Sequence, residues 1–339
     1  MWAKSGKYEV RNDMPTMKDV AKEAGVALGT VSKVINNIPV REEYRIRVEK
    51  AIEKLGYEVN HYARGMKLQK TNTVALIIPN LLTSFFAAFA YYLELALSEY
   101  DYKLLLCNSN GHPQKEIDYV NMARHNMVDG IVGITYSDID QYVTRDIPFL
   151  SLDRHFSDTI PCIASDNYEG GRMAARKLAE TGCKNVGYMY VRVHDQGETK
   201  KRKLGFCDEA QQVGLEWRTY QVNSFATEDF ENGCREFIDM NIVDGTLIID
   251  GIFFSTDLLA LRAKFILESL GYSVPDQVQL IGYDGISAAE GGCLVSSIRQ
   301  PVKEIAGTAA SLILKLIDKG RVPELTCLPV EFIDGGTTK

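Results

Sequence analysis

Nothing in this 339-residue sequence approaches the roughly 18 consecutive apolar residues of a membrane-spanning helix, so no segment is expected to cross a bilayer. The first stretch, MWAKSGKYEVRND, lacks the hydrophobic centre of a secretory signal, which argues for a cytoplasmic protein. No C-x-x-C pair occurs among the seven cysteines and their number is odd, which favours reduced, mostly buried thiols over a disulfide framework or a zinc site. The five histidines (His61, His112, His125, His155, His194) are scattered without metal-ligand spacing. There is no G-x-S-x-G, no G-x-x-x-x-G-K-[ST] and no nucleotide fingerprint after the first strand-like run. The expectation is a binder without metal, cofactor or catalytic residues.

What is present is the composition of a soluble globular protein, 45% apolar and 24% charged, long enough for two or three domains. Its charge is uneven. Residues 1–70 hold 14 Lys and Arg against 9 Asp and Glu, net +5, whereas the whole chain is −7 and the remainder therefore −12. Charge alone leaves open a polyanion-binding head and an ordinary solvated surface.

After an extension expected to be disordered (1–15), the spacing predicts three short helices within 16–59. Thr16 and Asp19 form a capping-box pattern; Met17, Val20, Ala21 and Ala24 make an apolar stripe; Gly25 stops the helix. A second helix starts near Leu28 with Val31 and Val34 or Ile35 inward. A third carries Tyr44, Val48, Ile52 and Leu55, with Gly56 as its stop. Two helices around a tight glycine turn describe a helix-turn-helix. The second helix turns Leu28, Gly29, Ser32, Lys33 and Asn36 outward, with Thr30 placed for a phosphate oxygen; Lys suits guanine and Asn suits adenine or phosphate. A solvent-facing polar surface is the competing reading. Ala27 supplies no N-cap side chain and Gly29 weakens a helix by about 1 kcal/mol relative to Ala, so this helix is expected to be weakly formed alone.

The stretch TMKDVAKEAGV…TVSKVINN…RVEKAIEKLGYEVNHYAR resembles the DNA-binding head of lac repressor-type (LacI/GalR) transcription regulators. The pattern T-[IM]-x-D-V-A-x-x-A-G-V-S-x-x-T-V-S-[RH]-V-[IL]-N is met at nearly every fixed position, with Ala27 and Lys33 as departures. The resemblance implies that Leu28, Gly29 and Lys33 read bases. It also implies a hinge over 60–71 whose Ala63, Arg64 and Met66 enter the minor groove, Met66 standing where the family has a leucine wedge. Thr16, Lys18, Tyr57 and Asn60 complete the expected contacts with double-stranded operator DNA.

Beyond residue 72, apolar runs alternate with helical patterns: TVALIIPN, YKLLLCNSN, DGIVGIT and IPFLSLDR, then NVGYMYV, DGTLIID and VQLIGYDG, with helices such as 83–98 and 258–270 between them. The rhythm is that of βαβ units in parallel sheets, run through twice. The expected fold class is α/β: a three-helix helix-turn-helix domain followed by a body of two doubly wound lobes. The resemblance extends over the body and implies the periplasmic-binding-protein fold, with a first lobe of 72–163 and 296–322, a second of 164–295 and 323–339, and crossovers near 164, 295 and 323.

Ligand sites in such sheets form at the carboxyl ends of strands. Asp153, Arg202 and Asp284 stand at such positions, and two carboxylates with a guanidinium suit a polyhydroxylated ligand. Phe85, Phe86 and Phe225 are candidate apolar walls, with Arg154 and Thr256 as further lining. Loop capping for the acids and plain core for the phenylalanines are the bland alternatives. Glu198 stands where the family often has Ser, a carboxylate that alters the ligand or pairs with Arg202. The resulting expectation is a homodimeric repressor whose operator affinity responds to a sugar or sugar derivative. A solute-binding protein of the same body fold, with no DNA role, is the alternative.

Overall fold

The structure, a computed structural model, describes residues 15–35, 37–57, 70–125, 127–157, 159–191, 197–224, 226–285 and 293–339. Asn36, Asn60, Ala63, Arg64, Met66 and Phe225 lie outside the described residues, as do the extension 1–14 and hinge positions 60–69. The chain divides into two compact units, Met1–Gln69 and Lys70–Lys339.

The first unit contains α1 (Met17–Ala24), α2 (Leu28–Ile35) and α3 (Glu42–Leu55). A full capping box opens α1: the Thr16 N–H and hydroxyl both donate to Asp19 Oδ2, at 2.8 and 2.6 Å, and the Asp19 N–H donates back to Thr16 Oγ1. Those hydrogen bonds hold the Asp19 carboxyl below its ordinary range. Gly25 ends the helix at φ 60°, a left-handed conformation that glycine adopts without a Cβ clash. Arg47 Nη2 donates to the Gly25 carbonyl at 2.9 Å, fastening α3 to the turn between α1 and α2. Val20, Ala21, Ala24, Val31, Val48 and Ala51 form the core, with Ile52, Leu55 and Tyr57 packed against it.

The second unit contains strands β1 (Thr73–Ile78), β2 (Lys103–Asn108), β3 (Gly130–Gly133), β4 (Phe149–Leu152), β5 (Cys162–Ser165), β6 (Asn185–Val191), β7 (Glu216–Val222), β8 (Ile242–Val243), β9 (Thr246–Leu247), β10 (Gly251–Phe254), β11 (Gln279–Asp284), β12 (Ser296–Arg299), β13 (Leu325–Leu328) and β14 (Glu331–Ile333). Its helices are α4 (Ser84–Ser98), α5 (Pro113–Arg124), α6 (Asn167–Glu180), α7 (Lys201–Gln212), α8 (Thr227–Asp239), α9 (Asp257–Ser269) and α10 (Val302–Ile317). One sheet runs β13-β5-β4-β3-β1-β2, all parallel. The other runs β14-β12-β11-β10-β6-β7, parallel except for β14. Alternate residues serve opposite faces, as the pleat requires. In β1, Val74, Leu76 and Ile78 join the cluster with Phe89 and Ile313, whereas Ala75 and Ile77 join the one with Val120 and Phe149. The second sheet is likewise covered on both faces, by clusters around Phe254 and Leu280 and around Tyr188 and Tyr283.

Sheet membership corrects several expectations. β12 lies in the second sheet and β13 in the first, so the chain passes between lobes at 300–301 and 329–330 rather than near 295 and 323; the remaining passage, at 165–167, adjoins the expected 164. The run 244–250 does not belong to either six-stranded sheet: its Thr246–Leu247 pair with Ile242–Val243 in a short hairpin, and the strand of the second six-stranded sheet begins at Gly251. The edge strand β7 and helix α8 were not anticipated.

Candidate effector cleft and DNA-reading face

The carboxyl ends of both sheets open onto one cleft of about 630 Å³. Asp153 follows β4, Ser255 and Thr256 follow β10, Asp284 ends β11, and Gln300 follows β12. Arg202 reaches the cleft from the first turn of α7. Its position is fixed by a backbone-to-backbone crossing of α6 and α7. A Cβ on Gly171 would fall 2.0 Å from the Arg202 carbonyl oxygen, and one on Gly205 would fall 1.9 Å from the Tyr168 carbonyl oxygen. Only glycine permits that approach.

Arg202 is 5% exposed; its Nε donates to Asn167 Oδ1 (2.6 Å), its Nη1 to the Ser255 carbonyl (2.8 Å), and its plane lies 3.6 Å from the Tyr283 ring centroid. Asn167 Nδ2 donates in turn to Asp153 Oδ1 (3.2 Å), which links a second-lobe helix to a first-lobe loop. Gln300 plays the matching part for Asp284: its Nε2 donates to Asp284 Oδ1 (2.8 Å) while its Oε1 accepts from Ser165 Oγ (2.7 Å) of the first sheet. Each carboxylate thus commits Oδ1 to protein and keeps Oδ2 without a hydrogen bond among the described residues. Both aspartates have positive φ: 58° at Asp153, in the left-handed region that Asp tolerates, and 115° at Asp284, outside it. Burial raises the Asp153 carboxyl against the opposing pull of Arg202. Burial likewise pushes Asp284 up to about 7, with Arg202 and Gln300 resisting and Asp153 reinforcing.

Phe85 and Phe86 line the cleft while also packing into the first-lobe core. Thr256 lines it and caps α9 through the Leu259 N–H. Arg154 is a correction. It points away from the cleft: its guanidinium pairs with Asp140, bonds the Ser137 carbonyl and stacks over Phe156 at 4.3 Å, because neighbouring residues leave a strand end in opposite directions. Glu198 pairs with His155 (2.6 Å) and Lys201 (2.7 Å) rather than with Arg202, and its N–H donates to the Asp153 carbonyl (2.8 Å). The sequence reading missed Tyr136, Tyr188, Tyr190, Gln221 and Gln300, all of which line the cleft. Carboxylates, amides and a guanidinium beside aromatic walls are chemically suited to a ligand rich in hydroxyls. A second cavity, of about 690 Å³, lies at the opposite ends of β4 and β5, between Ile147, Pro161, Ile317 and Val322.

In the first unit, Leu28, Gly29 and Lys33 are exposed on one side of α2, with Thr30 and Ser32 half-buried beside them. A Cβ on Gly29 would meet nothing within 4 Å, so the glycine is not demanded by packing inside the head. Thr16 and Lys18 are exposed at the start of α1, and half-buried Tyr57 closes the unit after α3.

Residues 16–60 match the family described as bacterial regulatory proteins, lacI family, and residues 71–334 match periplasmic binding proteins and sugar binding domain of LacI family. The chain is 34% identical over 322 residues to the sucrose operon repressor of Streptococcus mutans, covering 94% of this chain and 98% of that protein. It is 31% identical over 334 residues to the ribose operon repressor of Bacillus subtilis, covering 96% and 99%. Among solved structures it is similar to a transcriptional regulator CelR-cellobiose complex, with 25% identity, TM-score 0.70 and coverage of 95% and 99%. Its fold is also that of the lac repressor dimer bound to operator, at TM-score 0.81, 18% identity and coverage of 95% and 98%.

Proposed function

The chain belongs to the lacI family of bacterial regulatory proteins, DNA-binding regulators that respond to a small ligand, and from that premise we propose how this member divides the two tasks. The head reads operator DNA through α2: Leu28 and Lys33 contact base edges, Gly29 lets the helix backbone approach, and Thr16, Lys18, Thr30 and Ser32 hold the phosphates. Asn36, Tyr57 and the segment with Asn60, Ala63, Arg64 and Met66 extend the contact by the family resemblance. The absence of a DNA role, the alternative reading, leaves residues 16–60 without a purpose.

The body binds a sugar or sugar derivative that alters operator affinity. The observation that carries this is the pair of cleft-lining carboxylates, Asp153 and Asp284, each with only Oδ1 hydrogen-bonded among the described residues and both under the electrostatic pull of the Arg202 guanidinium. Relatives named for sucrose and ribose operons, and the cellobiose in the CelR complex, support the same chemistry. The protein acts as a repressor in the cytoplasm and performs no catalysis. It works as a homodimer, because one helix-turn-helix reads half of a palindromic site. Exposed Tyr91 and Leu95 of α4 and Leu258 and Phe265 of α9 are apolar surface suited to self-association. Fluorescence anisotropy of labelled promoter DNA, titrated with and without sugars, tests the proposal. Sequence-selective binding that shifts with a sugar is expected, and binding indifferent to every carbohydrate would overturn the effector role.

A further inference from the structure

Among the described residues the cleft is lopsided in charge: four cations line it, Lys200, Arg202, Lys203 and Arg262, against two carboxylates, Asp153 and Asp284. Of the two acids, Asp284 is held partly protonated near neutrality by its burial. The asymmetry is also spatial. Asp284 ends β11, and Gln300 and the two carboxylates gather where the chain crosses between lobes. Tyr190 lies on β6, two strands away through β10, which at the usual strand spacing is roughly 10 Å. Beside Tyr190 stands Lys203. Its Nζ lies 3.0 Å from the Tyr190 hydroxyl and 4.8 Å from that ring's centroid, and the same hydroxyl reaches Gln221 Oε1 at 3.4 Å. Among the described residues the partner of this ammonium is a neutral phenol, with no carboxylate against it.

We propose that the effector is an anionic carbohydrate, a sugar phosphate, whose ring sits between Asp153, Asp284 and Arg202 and whose phosphoryl group is received by Lys203 with Tyr190 at the far end of the cleft. The proposal rests on the sugar-binding reading given above and adds the ligand's charge to it. A neutral sugar fills the acidic end and leaves the ammonium facing water. A phosphate ester places its oxygens against a charged donor and a phenolic O–H, and charge-assisted hydrogen bonds are the strong ones. Two strand spacings, roughly 10 Å between the β11 and β6 backbones, also leave room for a ring carrying an extended substituent.

Isothermal titration of the full-length protein with matched pairs tests this: glucose and glucose 6-phosphate, fructose and fructose 6-phosphate, ribose and ribose 5-phosphate, sucrose and sucrose 6-phosphate, with inorganic phosphate as control. For the cognate pair the ester should bind on the order of tenfold to a hundredfold more tightly. Lys203→Gln should pull that ratio towards one by weakening the ester, whereas Asp284→Asn should weaken ester and neutral sugar alike. A neutral sugar that binds as tightly as its ester, or an ester preference that survives Lys203→Gln, overturns the charge assignment and leaves the sugar-binding reading standing. If no sugar and no ester binds, both readings fall. Binding of inorganic phosphate as tight as that of the best ester would show a plain anion site and also overturn the proposal.

Discussion

Gly205→Ala is a small change with a calculable consequence. The added methyl would stand 1.9 Å from the Tyr168 carbonyl oxygen, 2.9 Å from its carbon and 3.2 Å from the Arg172 nitrogen, all of them backbone atoms that have no rotamer to yield. Ordinary contact requires about 1.5 Å more, so α6 and α7 must part by roughly that distance. The Arg202 Nε–Asn167 Oδ1 bond spans the same crossing at 2.6 Å and would open to about 4 Å, beyond hydrogen-bonding range. Overpacking costs about 1–3 kcal/mol, and losing a hydrogen bond to a buried charge adds about 1.5–3 kcal/mol. The urea transition should therefore fall by about 2.5–6 kcal/mol in unfolding free energy. Effector affinity should drop on the order of tenfold to a hundredfold as Arg202 leaves its place. Operator affinity without effector should stay within about twofold, because the head is a separate compact unit. Urea denaturation beside effector titration at a concentration where the variant is folded is the assay. An unchanged midpoint with unchanged effector affinity would refute the idea that this crossing positions Arg202.

Effector affinity should rise with pH and level off above about 7, since ligand hydroxyls donate to ionised Asp284 and must displace its proton at lower pH. Below that point the loss approaches about tenfold per pH unit, and titrations in which Asp284→Asn keeps the same slope would assign the proton elsewhere. Lys33→Ala should weaken the best operator by about 1–3 kcal/mol and relax its sequence preference; an equal loss on every DNA would make Lys33 a phosphate contact. Glu198→Ala leaves His155 and Lys201 without their buried partner and frees the turn that precedes α7. Effector affinity should fall roughly threefold to thirtyfold, and an unaltered titration curve would remove Glu198 from the positioning of Arg202.

The first unit was readable because its signals are local: the capping pair Thr16 and Asp19, the left-handed stops Gly25 and Gly56 and the helical stripe all act within a few residues. In the body, Asp153 and Asp284 were legible as polar residues following apolar runs, and Arg202 as a basic residue opening a helix. Tyr188 and Tyr190 were not, since their role depends on which face of β6 they take and on what the other lobe brings opposite. β7 escaped because an edge strand with Glu216, Trp217 and Arg218 exposed shows no buried run. The misplaced strand at 244–250 has a similar cause. Asp250 ends that segment by accepting the Lys184 and Asn185 N–H groups at 2.8 and 3.0 Å, and the four buried residues after it pair with β6. Arg154 was indistinguishable from Asp153 by position, and the pleat alone separates them.

Asn167 and Gln300, which hold the two cleft carboxylates, are also residues of the segments where the chain passes from one lobe to the other. A ligand that moved either carboxylate would therefore bear on those crossings. Lys70 precedes β1 at the end of that strand remote from the cleft. Six residues of β1 make an arm of roughly 20 Å, so a turn of about 10° at the fulcrum sweeps the far end through roughly 3.5 Å. That displacement is comparable to the rise of one DNA base pair, about 3.4 Å. A turn of that size about the crossings would move the start of β1 by about one base-pair step.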